Sequence, residues 1–198
     1  MTKQLIFIVA FIISFSAYSQ KFETEKGTLE NLAKINQYKI IFEYPENLGV
    51  HKYDSEEDFL RAQVAKREQK KPGTGEEYRK LWFENRVNRY EPTFITEFNN
   101  FMLEDRHVTV SKHYSEAKHL MIVKVHFIHP GVDIVLWHQK AELEVTFEIY
   151  DVSNLENPIY ATKPLQIHGI ADGDEFEKIT TAYGELGRWS AKFFCRKT

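Results

Sequence analysis

The chain has 198 residues, 26 Lys and Arg against 29 Asp and Glu, a formal net charge of -3, and 42% hydrophobic and 28% charged residues. That length suits one domain, and that balance excludes a disordered or low-complexity chain. No basic excess draws the chain to nucleic acid or anionic lipid, and its one cysteine excludes an intramolecular disulfide and a Cys-rich zinc site.

In chain order the first element is a leader. Lys3 supplies a positive start, and Leu5 to Phe15 is an unbroken apolar run too short to span a bilayer. Ala17-Tyr18-Ser19 then places small residues where a signal peptidase reads. The pattern predicts a secretory signal peptide over residues 1–19, cleavage before Gln20, and one α+β domain over 20–198, in the periplasm or outside the cell. No membrane span is expected after cleavage. Cys195 would then lie in an oxidising compartment, free to pair with another chain; packing as a small residue on a helix is the plainer expectation.

The first strand is expected from Gln37 to Tyr44, ended by Pro45 and the Asn47-Leu48-Gly49 turn. A polar helical insertion follows at about 54–75. Ser55 and Asp58 fit a capping box, Glu56 and Glu57 favour the first turn, and Lys66, Arg67, Lys70 and Lys71 crowd the last turns. That basic end admits a nucleic-acid patch; the plainer reading is charge that complements the helix dipole. Lys71-Pro72-Gly73-Thr74-Gly75 reads as a turn or hinge. Thr74 and Glu77 open a helix carrying Tyr78, Leu81, Trp82 and Phe83, and Pro92 predicts a kink or break near Glu91. Phe94, Phe98, Phe101 and Met102 then recur at helical spacing as a core stripe.

The second half reads mainly as strands. His107 to Lys112 alternates weakly, and Leu120 to His129 places Met121, Val123, Val125 and Phe127 on one side. Pro130-Gly131 turns the chain, and Val135, Leu136 and Trp137 form a connection unusually apolar for a loop. Ala141 to Tyr150 alternates most clearly, with Leu143, Val145, Phe147 and Ile149 against Glu142, Glu144, Thr146 and Glu148. A last strand is expected from Ile159 to Ile170, interrupted at Pro164 as at an edge or bulge. Asp172 or Asp174 caps a final helix whose apolar face is Phe176, Ile179, Tyr183, Leu186, Ser190, Phe193 and Phe194. Glu177, Thr181, Glu185, Arg188 and Lys192 fall opposite, and Gly184, Gly187, Ala191 and Cys195 form a flank of small residues suited to close packing. The order predicts an α+β domain: two layers, a mainly antiparallel sheet, and amphipathic helices on one face.

Two stretches carry a family likeness. His129-Pro130-Gly131 before a strand opening at Ala141, and Gly173-Asp174 before a helix with Ile179, Ala182-Tyr183, Leu186-Gly187 and Ala191, resemble small secreted proteins of Bacteroidota-type cell envelopes. Their element order is similar to the amino-terminal module of TolB and the periplasmic part of CsgG-type envelope proteins. The resemblance covers roughly Asn36 to the C-terminus. It implies an envelope assembly or interaction module and supplies no catalytic residues. Many such proteins carry a lipobox cysteine; this chain does not, which puts membrane tethering in doubt.

Motifs for chemistry are sparse. A Gly-x-Ser-x-Gly elbow, a phosphate-binding glycine loop, a dinucleotide fingerprint and His-Glu-x-x-His are all missing from the sequence. His113, Glu116 and His119 are sound metal ligands by type, but steps of three scatter them around a helix, so only a loop would gather them. His126, His129 and His138 surround the Pro-Gly turn; His126 and His129 point to opposite sides of a regular strand, while the turn brings His129 toward His138. Glu142, Glu144 and Glu148, with Lys124 and His126 on a neighbouring strand, are paired carboxylates of the kind that act on glycosides, or else cross-strand charge pairs. Asp172, Asp174, Glu175 and Glu177 suit helix capping better than calcium.

These readings favour a non-enzymatic envelope protein that binds another envelope protein, with no cofactor and no nucleic acid. Val135, Leu136 and Trp137 are its candidate contact surface, or else Trp137 folds back over the core. The alternative is a periplasmic hydrolase, or a small-ligand or metal-binding protein using the His and Glu groups. A pocket holding two or more of His126, His129, His138, Glu144 and Glu148 would favour that alternative.

Overall fold

A computed structural model describes residues 22–105, 108–134, 137–169 and 172–195. The proposed leader therefore lies outside the described residues. The elements run β1 (Thr24–Lys26), a 3-10 turn (Leu29–Leu32), β2 (Gln37–Glu43), β3 (Gly49–Val50), α1 (Glu56–Lys70), α2 (Thr74–Asn85), a π turn (Arg86–Tyr90) and α3 (Glu91–Asp105). Then come β4 (Thr109–Ser111), β5 (His119–His129), β6 (Val132–Ile134), β7 (Trp137–Gln139), β8 (Glu142–Asp151), β9 (Tyr160–Thr162), β10 (Leu165–His168) and α4 (Glu175–Cys195).

The fold is α+β. The main sheet runs β1-β9-β8-β5-β2-β4, with β10 also on β8 and β3 also on β5. β5 and β8 form the long antiparallel centre, and β8 pairs antiparallel with both β9 and β10. β2 joins β5 and β4 in parallel because the chain leaves β2 through three helices before it returns. One face is the core: Met121, Val123 and Val125 of β5 and Leu143, Val145, Phe147 and Ile149 of β8 are buried with Phe94, Phe98 and Met102 of α3 and Ile179, Tyr183 and Leu186 of α4. Each such side chain contributes roughly 1.5–3 kcal/mol by leaving water. On the other face Lys124 of β5 reaches Glu148 of β8 at 2.8 Å, so the polar half of the alternation is cross-strand pairing.

Local chemistry sets the helix ends. Ser55 Oγ accepts the Asp58 N–H at 3.1 Å and starts α1. The Glu68 carboxylate accepts the N–H groups of Gly73 and Gly75 at 2.8 Å each, fixing the turn into α2. Those two bonds hold the Glu68 carboxyl below its usual range. Gly75 permits the turn, since a Cβ there would meet the Val64 carbonyl oxygen at 2.6 Å. Asp174 Oδ1 accepts the Glu177 N–H at 2.8 Å and starts α4.

Several expectations change. Pro92 does not break the helix: the π turn widens the backbone just before it, with the Glu91 N–H reaching back to Arg86 O, and Pro92 falls in the first turn of α3 where its missing N–H costs little. The strand expected over Ile159 to Ile170 is two strands broken at Lys163-Pro164, and the Thr162 hydroxyl accepts the Phe147 N–H at 2.9 Å where the ladder is interrupted. A register slip between Val125 and Phe127 places Ile128, not Phe127, in the core. The stretch after Pro130 carries two short strands, β6 and β7, paired antiparallel. On α4, Glu185 falls opposite the apolar face yet is buried; Arg188 at 2.9 Å and the Trp189 indole N–H at 3.1 Å satisfy its carboxylate.

Candidate functional site

The expected constellations are placed apart. His113 and Glu116 are exposed on the connection after β4, and His119 opens β5 with its ring steeply inclined to that of Tyr38. Among the described residues no group of three or more His, Cys, Asp or Glu is placed to hold a metal ion. His126 meets the Thr146 hydroxyl at 2.8 Å and borders a shallow groove with Glu43, Tyr44 and Lys124. His138 lies on β7 opposite Asp133, and its side chain is outside the description. Val135 and Leu136 lie outside the described residues; Trp137 begins β7, and its side chain likewise is not described. Glu142 faces His168 at 3.7 Å, while Glu148 is taken by Lys124 and by the Tyr150 hydroxyl at 2.6 Å. Those bonds outweigh burial and lower the Glu148 pKa.

His129 belongs to a different assembly. The turn after β3, the basic end of α1, the end of β5 and the first turn of α4 enclose a cleft of about 470 Å³. His51, Lys52 and Tyr53 line it from the turn; Phe59, Lys66, Arg67 and Lys70 from α1; His129 from β5; and Glu175 and Lys178 from α4. Five cationic side chains thus face one carboxylate, in a chain of net charge -3. Parallel pairing of β3 with β5, Val50 beside Ile128, brings the His51 turn to His129.

Arg67 is the closed part of this site. It gives a hydrogen bond to Glu175 at 2.7 Å and another to Gln63, and lies 3.6 Å over the Tyr78 ring. Glu175 also accepts the Tyr78 hydroxyl at 3.0 Å, yet burial outweighs both partners and raises its pKa. Lys52, Lys66 and Lys70 are exposed and make no ion pair among the described residues. Lys178 is 2% exposed, and its stem lies along Gly131.

His129 forms the inner wall. It is 3% exposed, and its ring centroid lies 3.9 Å from that of His51. Burial first, then the neighbouring His51 and Lys52, lower its pKa to about 4, so the ring is neutral near pH 7. Nδ1 accepts the Gly131 N–H at 2.9 Å, which puts the proton on Nε2. That donor has no hydrogen-bond partner among the described residues, an arrangement that costs about 1–3 kcal/mol when nothing fills it. In the sequence Lys66 and Lys70 stand out only as part of a basic helix end that the helix dipole explains, and His51, Lys52 and Lys178 carry no signal at all.

A second buried polar cluster is paired except at Arg86 Nε, which has no hydrogen-bond partner among the described residues. Glu56 accepts from Arg86 and from the Trp82 indole N–H at 2.6 Å; Arg86 lies 4.1 Å over Tyr44; and Tyr44 gives its hydroxyl proton to Glu91 at 3.2 Å. Lys112 completes Glu91. These groups tie α1, the π turn and β2 together.

No family model matches the chain, and no curated protein matches it. Two solved structures of the PelC dodecamer from Paraburkholderia phytofirmans are similar in shape. One is 12% identical, with 90% of this chain and 98% of that chain covered at a TM-score of 0.39. The other is 11% identical, with 85% and 96% covered at a TM-score of 0.41. Neither value carries a function across. Among the described residues no helix is long and apolar enough to cross a membrane.

Proposed function

We propose that the protein is an exported, non-enzymatic binding module of the cell envelope, and that the cleft takes the acidic group of an envelope partner. One observation carries this reading: five cations and one carboxylate are gathered around a single concavity. The composition of the lining favours binding over turnover. It offers no Ser, Thr, Cys or Asp side chain, its one carboxylate is held by Arg67 and Tyr78, and His129 Nδ1 is occupied. It thus lacks the hydroxyl or thiol nucleophile with a free base beside it that many covalent hydrolases use. The same cations repel a metal ion. Of the five residues that would have favoured the His and Glu alternative, the cleft holds His129 alone. The leader pattern supports export.

Protein-detected NMR titration with citrate tests the reading. Saturable shifts are expected at the amides of His51, Lys52 and Gly131, weakening as sodium chloride is raised. They should vanish in a Lys66→Glu/Lys70→Glu variant. Shifts that never saturate, or that survive the charge reversal, would overturn the assignment of the cleft.

A further inference from the structure

The chemistry of the cleft's donors narrows the acidic group. A guanidinium fork grips carboxylate and phosphate alike, whereas clustered ammonium groups act as point charges that reward a group of higher charge. The one arginine here is committed to Glu175, Gln63 and the Tyr78 face. The exposed cations that remain are ammonium groups: Lys66 and Lys70, one helical turn apart on α1, and Lys52 on the opposing turn. Each is a point charge on a flexible stem, which suits a tetrahedral group with several oxygens and more than one negative charge. Lys52 is held at φ 67, a left-handed conformation uncommon for a residue with a side chain, and it stands at the rim beside His51.

One further feature points the same way. A cleft of about 470 Å³ is also larger than one inorganic phosphate requires, and Tyr53 and Phe59 give it an aromatic wall.

We infer that the cleft binds a phosphate monoester, with Lys52, Lys66 and Lys70 around the dianionic head and the organic part against Tyr53 and Phe59. This rests on the reading of the cleft as the binding surface. A soluble ester and the headgroup of an anionic lipid share this chemistry.

Calorimetric titration of the protein with glycerol 3-phosphate and with glucuronate, beside co-sedimentation with phosphatidylcholine vesicles with and without phosphatidic acid, tests it. Glycerol 3-phosphate is expected to bind at least tenfold more tightly than glucuronate. A Lys66→Gln/Lys70→Gln variant with an unchanged melting temperature should lose at least tenfold of that affinity. Retention on phosphatidic acid vesicles, lost in the same variant, with no binding of the soluble ester assigns the phosphate to a lipid headgroup and supports the inference. Glucuronate binding as tightly as the phosphate ester overturns the phosphate assignment and leaves the binding surface standing. No saturable binding of either anion and no vesicle retention overturns both.

Discussion

At Gly187 a methyl group would sit 2.5 Å from the Phe94 carbonyl oxygen and 3.2 Å from Glu97 Cβ. The first contact is backbone, so α3 and α4 must separate to admit it. Alanine adds up to about 1 kcal/mol of helix propensity, while overpacking costs typically 1–3 kcal/mol, so Gly187→Ala should destabilise the protein. At Gly184 the nearest atoms are Thr93 Cγ2 at 3.3 Å and Glu97 Cγ at 3.6 Å, both on side chains able to yield. Gly184→Ala should therefore lie near zero. Denaturant melts of the two variants separate these signs, and a stabilised Gly187→Ala would show that the two helices do not meet as closely as described. His129 supports a second prediction. Its folded pKa, about 4, lies below the ordinary value of 6.5, so between these the unfolded chain binds more protons. Its contribution is full above about pH 6.5 and is lost as pH falls toward 4. His129→Asn keeps an acceptor for the Gly131 N–H and removes the titration. The stability difference between wild type and variant should shift against the wild type across that window, by up to roughly 2 kcal/mol given the open side of the cleft. A difference that stays constant with pH would show that His129 protonates alike in both states.

Among the elements, those that were legible carry their own periodicity. The alternation over Ala141 to Tyr150 became β8, and the apolar face from Phe176 to Phe194 became the helix that packs on α3 and the sheet. The elements missed are held from outside. β1 is three exposed residues placed by pairing with β9, and β3 is two residues placed by β5. No local pattern marks either, and the same is true of His51 and Lys52, which reach the cleft only because β3 pairs with β5. The basic end of α1 was visible, but a helix dipole explains such charges equally well until a facing wall is known. β4 shows how an edge is closed from outside. It ends the sheet beyond β2, and the outward backbone groups of Val110 are both taken by Asn99 of α3: Val110 N–H gives to Oδ1 at 2.8 Å, and Nδ2 gives to Val110 O at 3.0 Å. Asn99→Ala leaves a donor and an acceptor open on a sheet edge. It should cost about 1–2 kcal/mol and raise the tendency to associate at high concentration, as light scattering would register. An unchanged melt would mean that water replaces the amide without loss.

For the whole molecule, the aromatic side chain of Phe22 matters most at the start of the fold. Phe22 lies two residues beyond Gln20 and stacks on Phe193 of α4 at 4.5 Å, with Phe147 of β8 6.2 Å away. β1 follows at once and pairs with β9, which binds β8. Phe22 and β1 thus reach both α4 and the sheet centre. A half-buried aromatic stack of this kind contributes about 1–2 kcal/mol, less than the 3–5 kcal/mol of a fully buried ring. Phe22→Ala should lower stability by that amount, while Glu25→Ala, exposed on β1, should stay within about 0.5 kcal/mol. Mass spectrometry of the exported protein should find Gln20 at its N-terminus, leaving Phe22 in place. Cleavage beyond Phe22 would remove the stack, and the product should then melt like Phe22→Ala. A truncated product as stable as the intact protein would show that the first residues decorate the fold and do not hold its ends together.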